Sequence, residues 1–184
     1  MIFTRRPDGA IVFHREANQT AGLVALCGTI VTEFGRPGLM VEVGSHAGES
    51  AEIFASYAEH VVCVDTWSEE HALAVDRSMP AHEVESSFGL RMRAAKGRIT
   101  KLKMASPAAV KLFPDAFFDG VYIDGSHDFE SVTADIRAWL PKVRLFVAGH
   151  DWVDGAPQVI RAVMAELGVP DWLFEDYSWM WRKR

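Results

Sequence analysis

Two cysteines in 184 residues are too few for a disulfide framework. Both fall in apolar surroundings, Cys27 in a helical pattern and Cys63 inside a strand run, where a free thiol is ordinarily a small buried hydrophobe. No stretch approaches the ~20 apolar residues that a membrane span needs, so no membrane partner is expected. The early residues Arg5, Arg6 and Asp8 leave no room for the apolar segment of a signal peptide, and a cytoplasmic location is expected. Basic charge is also scarce: 19 Lys+Arg against 25 Asp+Glu gives 19 − 25 = −6. A sequence-independent grip on nucleic acid rests on Lys and Arg at phosphates, so no nucleic-acid partner is expected. The clusters Arg5-Arg6 and Arg182-Lys183-Arg184 read as solvated ends. With 49% apolar and 24% charged residues the chain is neither disordered nor repetitive. Its length suits one domain over 1–184, burying roughly 70% of the surface its unfolded form exposes.

Strand-like and helix-like runs alternate. Leu23, Leu26, Cys27, Ile30, Val31 and Phe34 recur at spacings of three and four, predicting a helix over 18–34 that Gly35 and Pro37 end. The nearly continuous apolar run Leu39 to Gly44 predicts a doubly buried strand. A helix from Glu49 to Ala58 and a strand from His60 to Asp65 follow. The polar stretch 66–98 holds one helical stripe, Val84, Phe88, Met92 and Ala95, and is long enough for a lid or substrate wall. Further strands are predicted at Ile99–Met104, Phe118–Asp124 and Arg144–Gly149. Between them fall a short helix, Ser106–Phe113, and one with Phe129, Val132, Ile136, Leu140 and Val143 on a single face. Pro157 opens and Gly168 closes a last helix. Trp172–Arg184 has room for two strands joined at Asp176-Tyr177-Ser178. The whole reads as an α/β, doubly wound, Rossmann-like sheet of about seven mostly parallel strands, with an antiparallel edge pair and helices on both faces.

Such sheets bind ligands beyond the carboxyl ends of their strands, so the strand tips carry the functional signal. The first ends in Glu42-Val43-Gly44-Ser45-His46-Ala47-Gly48-Glu49-Ser50 and the second in Asp65. A glycine turn lets backbone approach a ligand, and an acid about 20 residues on, at the neighbouring tip, suits a ribose diol. Ala47 breaks the pattern G-x-G-x-x-G, so a single nucleoside fits better than a dinucleotide. A tight turn without ligand would also explain the two glycines. Later tips carry Asp124-Gly125-Ser126-His127 and His150-Asp151. Ser126 and Asp128 read as helix caps, and Trp67 as an adenine stacker or a core residue.

Taken jointly, Glu42-x-Gly44-x-x-x-Gly48-x-Ser50, Asp65, Asp124-Gly125-Ser126-His127 and His150-Asp151 resemble a class I S-adenosylmethionine-dependent methyltransferase. More narrowly they resemble small O-methyltransferases whose fourth strand ends in Asp-Gly-x-His and whose fifth ends in His-Asp or Asp-Asp. The similarity spans Met40 to Ala162. It implies that Gly44 and Gly48 lie under the methionine end of S-adenosylmethionine, Glu42 behind that turn, Asp65 on the ribose and Ser106 near the adenine edge. Ser45, His46, Ser50, Thr66 and Trp67 complete the implied cofactor contacts. Asp124 would lie beside the sulfonium, within reach of His150 and Asp151 on the adjacent strand.

Methyl transfer to an alcohol needs a base at hydrogen-bond distance or a divalent cation that lowers the hydroxyl pKa. Asp124, His150 and Asp151 are the implied ligands for Mg²⁺ or Mn²⁺, although His150 stands where metal-using relatives carry an acid and imidazole suits other metals better than Mg²⁺. Without a metal, His127 or His150 is the candidate base and Asp124 the third catalytic residue. The expected substrate is a small hydroxylated molecule, such as a sugar or natural product. Two other readings stay open: a metal-dependent hydrolase built on Asp124, His127, His150 and Asp151, and a nucleoside-binding module without turnover. The apolar helix over 18–34 and the aromatic residues would also serve a homodimer.

Overall fold

The computed structural model of the protein describes residues 3–13, 17–69 and 79–184. It opens with an antiparallel hairpin of β1 (Phe3–Arg5) and β2 (Ile11–Phe13). Three residues per strand carry too little periodicity for a sequence reading to register. Helix α1 (Ala17–Phe34) follows, then β3 (Leu39–Val43), α2 (Glu49–Tyr57), β4 (His60–Asp65) and α3 (Ala81–Ala94). Residues 70–78 of the expected lid, like His14, lie outside the described residues. Next come β5 (Ile99–Lys103), the short α4 (Ser106–Ala109), β6 (Phe118–Ile123), α5 (Phe129–Trp139), β7 (Val143–Gly149) and α6 (Pro157–Glu166). Two short strands, β8 (Trp172–Leu173) and β9 (Trp179–Arg182), close the chain.

One boundary differs from the sequence reading. Leu140 and Val143 do not extend α5: Leu140–Lys142 forms a tight 3₁₀ turn, and Val143 already begins β7. Pro141 brings no N–H and crowds the preceding turn, so the α-helical ladder stops there.

Seven strands form one sheet in the order β5-β4-β3-β6-β7-β9-β8, parallel from β5 to β7 and antiparallel at β9 and β8. The chain builds β3, β4 and β5 outward in one direction and then returns to place β6 on the other side of β3. Alternation along each strand divides the core. Val61 and Cys63 face the layer of α1, α2 and α3, with Leu26, Phe54 and Phe88. Val62 and Val64 face α4, α5 and α6, with Ala109, Ile136 and Val163. The same period of two puts Glu42 on the Met40 side, under α1 and α2. Each large side chain withdrawn fully from water contributes about 1.5–3 kcal/mol. No helix among the described residues is long and apolar enough to cross a membrane.

Candidate active site

The reversal of strand order falls between β3 and β6, where neighbouring loops diverge and leave a crevice. Gly44 forms its floor. At φ +91°, with its N–H donated to Val64 O at 2.9 Å, it lies so close to β6 that an added Cβ would stand 2.0 Å from Asp124 O. Asp124 N donates to Val43 O at 2.8 Å, fastening the two loops together. Beyond Gly44 the chain turns tightly, with Gly48 N donating to Ser45 O, and enters α2 through Gly48 at φ +85°. A Cβ on Gly48 would come within 2.9 Å of Phe88.

Asp65 holds this turn. Its Oδ2 accepts from His46 N and its Oδ1 from Trp67 N, both at 2.8 Å. Trp67 Nε1 donates back to His46 O at 2.8 Å, and its ring packs into the core on Phe88, 4.7 Å between centroids. Asp65 is nearly buried but still lines the crevice, and a carboxylate oxygen accepts more than one donor. Beneath the turn, Glu42 is fully buried. Burial pushes its carboxyl up to about 7; the nearby Ser45 and Ser50 hydroxyls oppose that rise, and the Asp124 charge adds to it. Cys63 Sγ donates to Glu42 Oε2 at 3.5 Å, whereas Oε1 and the Ser45 hydroxyl are buried without a hydrogen-bond partner among the described residues.

The crevice opens into a cleft of about 260 Å³, near the low end for small-molecule sites. Val64, Asp65 and Thr66 line it together with the adjoining Met104–Pro107 loop, tied by Met104 N donating to Asp65 O at 3.0 Å, and with Gly125 and Ser126. Helix α5 contributes Ser131, Ala134 and Asp135. Ser106 donates its hydroxyl to Asp135 Oδ1 and accepts from Trp139 Nε1 at 2.8 Å.

A second polar group lies at the tips of β6 and β7. His127 Nε2 stands 3.0 Å from Asp151 Oδ2 and 3.9 Å from Asp124 Oδ1. One ligand atom from each of Asp124, His127 and Asp151 falls within 4.8 Å of the others, close enough to share one cation. Asp151 holds φ +64°, a left-handed conformation that aspartate tolerates better than most side chains. His150 is the more buried imidazole, with Nδ1 3.3 Å from Asp151 Oδ1. Burial opposes its charge, but the Asp151 hydrogen bond and the charges of Asp124, Asp151 and Asp176 outweigh that and raise its pKa to about 9.

A sequence model of the methyltransferase-domain family matches residues 41–152, more than half of the chain. The chain belongs to the methyltransferase-domain family. It is an enzyme of that family, and the matched segment runs from β3 through the tip of β7, taking in both polar groups. No curated protein matches the sequence at significant similarity. Among solved structures, cofactor-bound Rv0187 from MTB superposes with a TM-score of 0.64 at 17% identity, over 91% of this chain and 80% of that one. An O-methyltransferase from Bacillus cereus in complex with SAH gives 0.63 at 15% identity, over 93% and 84%. CalS11, a TDP-rhamnose 3′-O-methyltransferase of calicheamicin biosynthesis, gives 0.57 at 18% identity, over 91% and 80%. At such identities these likenesses establish the shared fold.

In this methyltransferase, Gly44, Asp65, Thr66 and Ser106 line the cleft. Glu42, Ser45, His46, Gly48 and Ser50 belong to the turn beside and beneath it. Trp67 is corrected from an adenine stacker to a core residue, because its indole N–H is claimed by His46 O and its ring by Phe88. Of the expected metal set, Asp124 and Asp151 group with His127, while His150 lies beside Asp151 with Nδ1 3.3 Å from its Oδ1. His150, the other candidate base, is mostly buried beside Asp151, whose hydrogen bond and charge favour its protonated form. Asp128 caps α5, accepting from Ser131 N at 2.8 Å.

Three residues escaped the sequence reading. Asp135 lies in a polar stripe with Ser131 and Ala134, a spacing that looks solvent-facing unless a cleft is known to be there. Arg91, buried on α3, donates to Ala47 O and Ile11 O and pairs with Glu52, strapping the hairpin and the glycine turn to one helix. Asp176 accepts from Ser178 N and Oγ in the buried β8–β9 turn, and Ser178 shares a hydrogen bond with Tyr122. A lone acid in a predicted turn gives no warning of complete burial.

Proposed function

We propose that this methyltransferase uses S-adenosylmethionine to methylate a hydroxyl oxygen of a small molecule. The observation that carries the reading is the adjacency of two half-sites. A glycine-floored cleft edged by Asp65 suits an adenosine, and the Asp124, His127, Asp151 group stands at the tips of β6 and β7 beside it. Gly44 presents bare backbone to the cleft, and the buried Ser45 and Glu42 beneath the turn would offer polar atoms to the donor's charged amino-acid end. These features fit the cofactor.

The acceptor oxygen attacks the methyl carbon opposite sulfur. As the new C–O bond forms, the C–S bond breaks, its electron pair stays on sulfur, and the product is a neutral thioether. The acceptor's proton goes to His127 Nδ1, while Nε2–H donates to Asp151 Oδ2 at 3.0 Å and so fixes the ring. Excluding water and fixing the line of attack are the other tasks of the loops around Gly44 and Asp124.

The grouping of Asp124, His127 and Asp151 also favours a metal-dependent variant of this reading. Two carboxylates and an imidazole would hold Mn²⁺ more readily than Mg²⁺, and a bound cation supplies Lewis acidity that lowers the hydroxyl pKa. Exhaustive chelation separates the variants: turnover survives if His127 is the base and vanishes if a cation is required. The sugar substrate named for CalS11 and the exposed His127 between Asp124 and Asp151 support a hydroxylated acceptor such as a sugar.

Titration calorimetry with S-adenosylmethionine and S-adenosylhomocysteine tests the foundation. Saturable binding of both is expected, followed by release of S-adenosylhomocysteine in the presence of hydroxylated acceptors. No binding of either up to millimolar concentration removes the proposal, and tightly held zinc together with ester cleavage would put a hydrolase in its place.

A further inference from the structure

We propose that Asp135 reads the base of the cofactor, accepting a hydrogen bond from the exocyclic 6-amino group of adenine and so selecting a 6-amino over a 6-oxo purine. The inference rests on the cofactor reading above.

Asp65 lines the cleft beside the Met104–Pro107 loop, whose Met104 N donates to Asp65 O at 3.0 Å, and α5 contributes Asp135 to the same lining. With the ribose at Asp65, the base would lie along the same loop, beside Ser106 and Asp135, which line the cleft with it. Asp135 is fixed there. Its Oδ1 is taken by the Ser106 hydroxyl, which Trp139 Nε1 anchors in turn. Its Oδ2 has no protein partner among the described residues and lies 3.8 Å from where a Cβ on Gly125 would stand, beside a residue that also lines the cleft. No cation pairs with this carboxylate among the described residues, and burial raises its pKa. A partly desolvated acceptor oxygen facing a cleft favours a ligand that brings an N–H.

The two purine classes differ in what they present. Adenine offers an amino donor at position 6, whereas hypoxanthine offers a carbonyl oxygen whose lone pairs would face those of Asp135. A site built around one polar group rejects an analogue that leaves it unpaired or opposed. Serine at position 106 sharpens the choice, because its single proton is already committed to Oδ1 and is not available to a 6-oxo group.

The test compares S-adenosylhomocysteine with S-inosylhomocysteine by titration calorimetry on the full chain. The wild type is expected to favour the adenosine compound at least tenfold. Asp135→Asn, whose amide donates to a 6-oxo group, is expected to bring the ratio to threefold or less. Asp135→Ser serves as a second variant if the first is unstable and is expected to flatten the ratio as well. A merely structural role for Asp135 would weaken both ligands together and leave the ratio unchanged. Equal affinity of the wild type for the two compounds, or an undiminished preference in a folded Asp135 variant, overturns the inference. Failure of the wild type to bind S-adenosylhomocysteine at all overturns the cofactor reading instead.

Discussion

Glu42 offers a test of the interior beneath the cofactor turn that needs no ligand. Its carboxyl is fully withdrawn from water and titrates near 7, against 4.5 when exposed. Between those values the folded protein holds a proton that the unfolded chain has lost. The stability tied to that proton is therefore complete below pH 4.5 and is lost as pH rises through 7. The gap of 7 − 4.5 = 2.5 units corresponds to about 3 kcal/mol at 1.36 kcal/mol per unit. Glu42→Gln keeps the shape and removes the titration. Any packing or hydrogen-bonding cost of the amide is the same at every pH, so the informative quantity is the difference between variant and wild type along the pH axis. Urea unfolding from pH 5 to 8.5 should show the variant gaining about 2–3 kcal/mol on the wild type as pH increases. The other titrating groups are common to both proteins and largely cancel. Parallel stability profiles would refute the reasoning, because they would mean that water or a donor reaches Glu42 and keeps it ionised at ordinary pH.

Three more outcomes follow from the site. Gly44→Ala forces a side chain into a left-handed conformation and onto the Asp124 carbonyl, so it should cost 3 kcal/mol or more in chemical unfolding, or prevent soluble expression. Asp65→Ala removes the acceptor of two backbone N–H groups as well as the implied ribose contact, so it should lower stability by about 3 kcal/mol and weaken S-adenosylhomocysteine at least tenfold in calorimetry. A variant that binds normally would take Asp65 out of the cofactor site. His127→Ala should reduce kcat by about 10²–10⁴ while leaving the dissociation constant of S-adenosylhomocysteine within twofold, and an unchanged kcat would remove His127 from the chemistry.

The sheet and the edge of the cleft were legible in the sequence because doubly buried parallel strands are nearly continuous apolar runs that stop at glycine or acid. Leu39–Gly44 and His60–Asp65 illustrate both endings. The hairpin at Phe3–Phe13 was not legible, since its stability comes from Arg91 and Ser87, some 80 residues away, gripping Ile11. The choice between His127 and His150 was equally hidden. Both lie within three residues of an aspartate at a strand tip, and only the spatial arrangement shows that Asp151 uses one oxygen for each ring, leaving the exposed ring beside Asp124 and burying the other among acids. Asp135 shows the general limit: helical periodicity separates buried faces from polar ones but does not tell a polar face turned to bulk water from one turned to a cleft.

The contact between Gly44 and Asp124 ties the two half-sites into one device. Methyl transfer tolerates little error in the line from acceptor oxygen through carbon to sulfur, and displacement by about 1 Å can cost 10²-fold in rate. In this protein the Gly44 turn and Asp124 hang from adjacent strands, β3 and β6, paired from Met40↔Gly120 to Val43↔Ile123 and locked at the tips by Asp124 N to Val43 O. Gly120 sharpens the pairing, since a Cβ there would meet the Phe146 ring at 2.1 Å, so β6 seats β7 with no slack between them. The alignment that the reaction needs is thus carried by sheet register rather than by the loops alone. Loosening that register, as Phe146→Leu would do by leaving a void over Gly120, should lower kcat before it weakens either ligand; a Phe146→Leu protein with full kcat and impaired cofactor binding would place the alignment in the loops.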